Sequence, residues 1–411
     1  MLKLNRRTVL AGVAGLPFAS QVFAQSSQTV KIALLTPLSG PWARAGQLSR
    51  IGVEMAVEDI NKAGGIKSLG GAKLELILAD AGDSVERAKN AAQRLVAREP
   101  DLVGGIGAWL SSFTLAATEI TERAKLPWLT LSWLDSITGR GFKYVFATSA
   151  PTSALAAESI PTLVTLAKAK SGKAIQSVGI IGESTAPAQG YLEPLRKGGL
   201  EKLGLKIVTD ETFTPPLSDA TPLIQRLRSA KPDFLILYTS NVPDVKIILE
   251  KMNEFGLGNG RIPILVPTLA IATPETLKNV GAESLEGILG MATNWGSRSM
   301  KEFLDNLCAR SGEPWIMMDT LSNYGHVALF VDAIERAKST DREKVTEALR
   351  ATNTNKGPAK FFMGKDLRFG QNGRRVDGPV ILFQWQGGKP ISIYPEEDAA
   401  SSLIWPGMKK T

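Results

Sequence analysis

The residues best suited to chemistry are few, and they point to binding rather than turnover. Ser111 and Ser112 form a pair in a tight turn, 108–112, between a buried strand at 102–107 and an amphipathic helix at 112–125. Such a turn leaves free backbone N–H groups at the start of a helix. A helix N-terminus with hydroxyls beside it is a seat for an anion. The simpler reading is that the serines only cap the helix, and the two roles are compatible.

Catalytic machinery is not evident elsewhere. The chain has one histidine, His326, and one cysteine, Cys308. A zinc site built from His and Cys is thereby excluded, as is an intrachain disulfide. A serine–histidine–aspartate triad would have to use His326, which falls inside a helical pattern and reads as a packed or capping residue. Gly105-Ile106-Gly107 supplies two glycines of a dinucleotide fingerprint, after a third strand rather than a first. It reads as close packing at a turn. No enzyme activity, cofactor or metal is expected.

The elements that must hold the serine turn follow a repeating pattern. A strand at 30–35, a breaker-rich loop at 36–42 and a helix carrying Ile51, Met55 and Ile60 on one face open the chain. A strand at 73–80 and a helix opened by the capping box Asp83-Ser84-Val85-Glu86 come next. Strand 127–132 follows the serine helix. After 147–151 the pattern restarts, with a helix at 152–169 and strands at 177–182, 206–213, 234–239 and 262–267 separated by helices. Continuous apolar strands joined by helices argue for parallel sheets covered on both faces.

The expected fold is α/β: two Rossmann-like lobes whose strand C-termini face a common cleft, where open α/β sheets bind ligands. A strand at 287–293, helices at 298–311, 318–337 and 341–351, and short strands at 360–363, 380–386 and 391–394 close the chain. The late helices imply a return to the first lobe and the last strands a return to the second. That places crossings near 148–151, 294–297 and 354–358. The lobes are expected at 29–149 plus 297–355 and at 150–296 plus 356–411.

Composition sets the outer bounds. The 411 residues are 44% hydrophobic and 21% charged, enough for two domains with buried cores. Residues 1–24 read as a signal peptide of the twin-arginine type, with Arg6-Arg7, a short apolar run and a small-residue cleavage site at Ala24. Without Lys3, Arg6 and Arg7 there remain 45 basic against 40 acidic residues, a net charge of +5. With no basic block outside the leader, nucleic acid is not an expected partner. No later segment offers the ~18 apolar residues of a membrane span. The expected product is an exported, periplasmic monomer.

Two stretches carry a family resemblance. Leu34-Leu35-Thr36-Pro37-Leu38-Ser39-Gly40 and the run from Gly52 through Glu54, Asn61 and Gly65 resemble the opening of the leucine/isoleucine/valine-binding proteins. These are type I periplasmic solute-binding proteins of ABC importers. The strand–Ser-Ser–helix at 104–125 and the ending at 380–395 are similar to theirs as well, so the resemblance covers essentially the whole mature chain. It implies two lobes joined by three hinge strands that close on a small ligand, without catalysis, and an ABC permease of the inner membrane as partner. In that family the turn matching Ser111-Ser112 holds the ligand carboxylate through N–H and hydroxyl groups. The turn after the next strand adds contacts, and there only Ser136 matches, because Trp133 and Asp135 depart from the family's small residues.

The departures bear on the ligand. Amino-acid binders of the family hold the ammonium with an acid in a second-lobe loop, and the matching Pro267-Thr268-Leu269-Ala270 has none. The family's aromatic–glycine turn is replaced at 183–190. An ammonium without a counter-charge in a closed cleft costs on the order of a few kcal/mol. Glu183 and Asp135 are the candidates to supply that charge from a new direction. Trp42, Trp109 and Trp133 all fall in first-lobe turns at the cleft, a stacking surface suited to flat or apolar ligands. Arg44, in the same loop as Trp42, reads as a solvated arginine, with pairing to a carboxylate as the alternative. Tyr238, Thr239, Asn241 and Thr268 end second-lobe strands and offer polar contacts. Asn294-Trp295 sits at a crossing, as a hinge packing pair or a ligand contact. The expected ligand is a small carboxylate with an aromatic or apolar body. The alternative is a branched-chain or other neutral amino acid, and a sensory ligand-binding module is a third class of function.

Overall fold

The structure, a computed structural model, describes residues 29–364 and 366–405. The leader at 1–24 lies outside the described residues. The first lobe is built on β1 (Thr29–Thr36), β2 (Lys73–Asp80), β3 (Gly104–Gly107), β4 (Trp128–Thr130) and β5 (Val145–Ala147), in the order β2-β1-β3-β4-β5. Every pairing in it is parallel. Helices α1 (Ala43–Lys62), α2 (Val85–Arg98) and α3 (Ser111–Arg123) join these strands. Ile32, Leu34, Ile106 and Leu129 are fully buried between the sheet and its helices, as strands covered on both faces require.

The second lobe holds β6 (Ser177–Glu183), β7 (Lys206–Phe213), β8 (Phe234–Tyr238), β9 (Ile264–Val266) and β10 (Leu289–Ala292). Its helices are α4 (Thr152–Ser171), α5 (Ala186–Pro194), α6 (Thr221–Ala230), α7 (Val242–Glu254), α8 (Pro274–Val280) and α9 (Ala282–Leu285). The chain then returns to the first lobe through α10 (Lys301–Ser311), α11 (Met318–Ala337) and α12 (Arg342–Arg350). Thr320 of α11 donates to the Leu48 carbonyl of α1 at 2.9 Å. Every residue from Met318 to Val327 is buried, which marks α11 as an interior helix rather than a surface one.

The end of the chain differs from the sequence expectation. A small ladder of β11 (Asn353–Thr354) and β12 (Leu367–Arg368) precedes β13 (Ile381–Gln386) and β14 (Lys389–Tyr394). The last two extend the second sheet to β14-β13-β10-β9-β8-β6-β7 and bring the antiparallel pairings found in it among the described residues, β10 with β13 and β13 with β14. The strand expected at 360–363 is instead a 3-10 turn, Gly357–Phe361. Pro358 removes a ladder donor there, and the Phe361 ring sits 4.8 Å from Tyr324 of α11, which ties the segment to the first lobe.

The third crossing moves accordingly. Arg375 N–H still donates to Ala147 O at 2.8 Å, beside β5, while Val380 is already buried in the second-lobe core. The chain therefore leaves the first lobe at 376–380 rather than 354–358, and 356–375 belongs with the first lobe. Arg374 ties the crossings together by donating to the carbonyls of Ser149 and Leu134 at 3.0 and 2.8 Å. At another crossing Asn294 donates to Phe361 O and accepts from Met363 N–H, both at 2.9 Å, and Trp295 stacks on Phe383 at 4.7 Å. Both residues are hinge packing. His326 is packed as expected, with its Nε2 2.7 Å from the Thr148 hydroxyl at the first crossing.

Candidate ligand-binding site

The serine turn is shaped by close packing beneath it. A Cβ on Gly105 would lie 2.2 Å from the Trp128 ring, and one on Gly107 would lie 1.9 Å from Leu35 O. Only glycines fit, which accounts for the two glycines without any nucleotide. The chain then turns through Trp109 at φ 66°, a conformation that costs a bulky residue on the order of 1–3 kcal/mol. Hydroxyls hold it there. Ser132 Oγ donates to Trp109 O at 2.7 Å, and Thr114 Oγ1 accepts from Ala108 N–H at 3.1 Å and lies 2.8 Å from Ser132 Oγ.

α3 begins with no side-chain cap. Its N-cap residue is Leu110, and Ser111 and Ser112 are the first two residues inside the helix. The Thr114 N–H is the first to find a helical partner, Leu110 O at 2.9 Å. The N–H groups of Ser111, Ser112 and Phe113 precede it and carry the positive end of the helix. The serines are not caps. They add hydroxyls to an open helix N-terminus.

That N-terminus faces a cavity of about 730 Å³ between the two sheets. Trp42, Trp109 and Trp133 line it from the first lobe, and Trp42 is braced edge-on by Phe113 at 5.6 Å. Tyr238, Asn241 and Thr268 line it from the second lobe, with Leu269 beside them, and Met317, Met318 and Asp319 at the start of α11 complete the wall. Burial pushes the Tyr238 phenol well above its ordinary range, so it is a neutral donor at any ordinary pH.

Three residues expected at the site lie elsewhere. Ser136 is exposed, on the short 3-10 turn Asp135–Ile137. Glu183 is fully buried and already satisfied: Oε2 accepts from Ser240 N–H at 2.8 Å, and Oε1 accepts from the Ser240 and Thr185 hydroxyls at 2.6 and 2.7 Å. It braces the loop after β8 rather than facing the ligand. Thr239 is fully buried, and its carbonyl accepts from the Thr268 hydroxyl. Asp135, the other candidate counter-charge, is exposed and accepts from the Ser153 N–H and hydroxyl.

Two charged groups stand differently from the sequence expectation: Arg44 takes the alternative reading, and Asp319 was missed. Arg44 is paired with carboxylates: Nε donates to Glu275 Oε1 at 2.7 Å and Nη2 to Glu313 Oε2 at 2.6 Å. Asp319 is 2% exposed, and its Oδ1 accepts from Trp109 Nε1 at 2.6 Å. Burial pushes its carboxyl up to about 6, against the smaller opposing effect of the indole N–H. A buried-acid signal was present in the sequence as an aspartate in the first turn of an apolar helix, next to Met317-Met318. Among the described residues no group of three or more His, Cys, Asp and Glu side chains comes together to hold a metal, and no helix is long and apolar enough to cross a membrane.

Two parallel-rich sheets enclosing a cavity at their strand ends, with three crossings between them, define a two-lobed binding protein. The family model for periplasmic binding proteins matches residues 29–389, and the chain belongs to that family. Leu/Ile/Val-binding protein homolog 8 of Brucella melitensis biotype 1 is 26% identical over 419 aligned residues, covering 98% of this chain and 99% of the relative. LivJ of Streptococcus pneumoniae, a branched-chain amino acid transporter substrate-binding protein in complex with isoleucine, superposes with a TM-score of 0.75. It is 19% identical, over 88% of this chain and 98% of that one. A solute-binding protein of an ABC transporter from Rhodopseudomonas palustris BisB5, in complex with 3,4-dihydroxy benzoic acid, gives 0.73. It is 20% identical, over 93% of this chain and 99% of that one. The fold is the type I periplasmic binding protein fold.

Proposed function

We propose that the protein is the exported solute-binding component of an ABC importer, and that it closes on a small carboxylic acid with an aromatic or apolar body. It acts as a periplasmic monomer that delivers the acid to an inner-membrane permease. The observation that carries the ligand class is an open helix N-terminus flanked by tryptophans, with the second-lobe acid that lines the cavity, Glu275, bonded through Oε1 to Arg44. Glu183 is consumed by Ser240 and Thr185. The carboxylate takes the N–H and hydroxyl groups of Ser111 and Ser112, and the body lies against Trp109 and Trp133. The relative bound to 3,4-dihydroxy benzoic acid supports an acid of this kind.

A branched-chain amino acid is the second reading. The relative bound to isoleucine favours it, as does the presence of one buried acid, Asp319, in the cavity wall. Thermal shift with panels of aromatic acids and of neutral amino acids separates the two. A ligand at hundredfold excess over its dissociation constant stabilises by about 2.7 kcal/mol. Stabilisation by benzoate-type acids is expected; stabilisation by leucine or valine alone contradicts the aromatic reading.

A further inference from the structure

Asp319 is the most heavily buried ionisable residue in the cavity wall, and one side chain donates to its carboxylate. Oδ1 accepts from Trp109 Nε1 at 2.6 Å, and no other side chain among the described residues donates to the carboxylate. Asn323, one turn further along α11, donates to the Asp319 main-chain carbonyl at 2.7 Å and leaves the carboxylate alone. No lysine or arginine among the described residues pairs with it: of the cations lining the cavity, Arg44 is held by Glu275 and Glu313, and Lys246 pairs with Glu250. Its neighbours in the wall are Met317 and Met318. A carboxylate on a residue only 2% exposed, lining the cavity with a single side-chain donor, has room for a second donor only from the cavity side.

The position of that donor follows from Trp109. Its backbone belongs to the turn that opens the Ser111–Ser112 seat, and its indole N–H, at the far edge of the side chain, meets Asp319. The indole therefore spans from the seat to the acid. An α-ammonium is separated from its carboxylate by a single carbon and stays beside the seat. A donor on the distal edge of an aromatic ring stacked along the indole reaches the other end.

We propose that Asp319 is the specificity-determining acceptor of this cavity, selecting aromatic acids that carry a hydroxyl donor remote from the carboxylate. This rests on the reading of the ligand as an acid with an aromatic body. The hydroxyl donates to the carboxylate from the cavity side, a charge-assisted bond of the stronger kind. Benzoate fills the same space and brings no such donor.

Calorimetric titration of the wild-type protein and Asp319→Asn with benzoate, meta-hydroxybenzoate, para-hydroxybenzoate and leucine tests this. The isosteric amide keeps an acceptor for Trp109 Nε1 and turns its N–H₂ toward the ligand. At least one hydroxybenzoate is expected to bind the wild type about tenfold or more tightly than benzoate, corresponding to about 1.4 kcal/mol. Asp319→Asn is expected to lose that preference, the ratio of hydroxybenzoate to benzoate affinity falling to about one whatever its affinity for benzoate itself. Asp319→Leu, compared by the same ratio, removes any amide contribution. Equal wild-type affinities for benzoate and both hydroxybenzoates, or a preference that survives both substitutions, overturns the role of Asp319 while leaving the aromatic-acid reading in place. Binding of leucine with no binding of any aromatic acid overturns the reading beneath it.

Discussion

Arg44 Nε donates to Glu275 Oε1 at 2.7 Å, joining the first helix of one lobe to α8 of the other across the mouth of the cavity. The same guanidinium holds Glu313, on its own lobe, at 2.6 Å. Beside it Trp315 Nε1 donates to Ala272 O at 2.9 Å, a second link in the same direction. Both links run between the lobes, so they favour arrangements in which the lobes are together.

Arg44→Ala is therefore expected to weaken ligand binding without unfolding the protein. The side chain is 30% exposed, which limits its worth to about 1 kcal/mol after solvent screening, or roughly fivefold in dissociation constant. Calorimetry at low and high salt checks this, and the gap between wild type and variant should narrow as salt rises.

Ser111→Ala and Ser112→Ala separate an anion seat from a helix cap. Caps stabilise the free protein by about 1 kcal/mol, and these serines lie inside the helix with Leu110 at the N-cap. The melting temperature of the ligand-free variants should stay near wild type. Affinity for a carboxylate ligand should fall about tenfold for the hydroxyl that contacts it, as loss of a hydrogen bond to a charged group requires. The same titration with the corresponding uncharged amide should show a smaller loss.

Asp319 makes ligand-free stability depend on pH in an unusual sense. Burial raises its carboxyl from 3.8 to about 6, so the folded state favours the protonated form. The stabilisation is complete below 3.8 and is lost as pH rises through about 6. Asp319→Asn should gain on wild type across that window and hold the advantage at neutral pH, on the order of 2–3 kcal/mol for a shift of this size. Melting curves of the ligand-free proteins between those limits read it directly.

His326 acts in the opposite sense. Burial against Thr148 and Asn323 lowers its imidazole from 6.5 to about 3, so the fold requires it neutral. Stability is present above 6.5 and is withdrawn as pH falls toward 3, by up to about 1.4 kcal/mol per unit. His326→Gln should start less stable at neutral pH and decline less steeply in acid. A melting-temperature profile parallel to wild type would contradict this.

Most of the fold was legible in the sequence because periodicity and breakers act locally. The alternation of apolar strands with helices, the restart after Pro151 and the interior helix carrying His326 all follow from patterns within single elements. The segment around Phe361 was misread because its place is set by a long-range contact with Tyr324, which no local pattern encodes. The same distinction runs through the site. Ser111, Ser112 and the three tryptophans occupy turns at strand ends, where open α/β sheets gather ligands. Glu183 looked equally available at a strand end, but Ser240, far away in sequence, takes it up. Asp319 went unrecognised, and the partners of Arg44 unidentified, because the partners lie on other elements: Trp109 for one, and Glu275 and Glu313 for the other.

The most direct measurement is a crystal structure of the protein grown with the acid that gives the largest thermal shift. The ligand carboxylate is expected within hydrogen-bond reach of the Ser111 and Ser112 N–H groups, with the ring against Trp109 and Trp133 and both lobes in contact. A carboxylate bound elsewhere in the cavity, with the first turn of α3 left empty, would contradict the central claim.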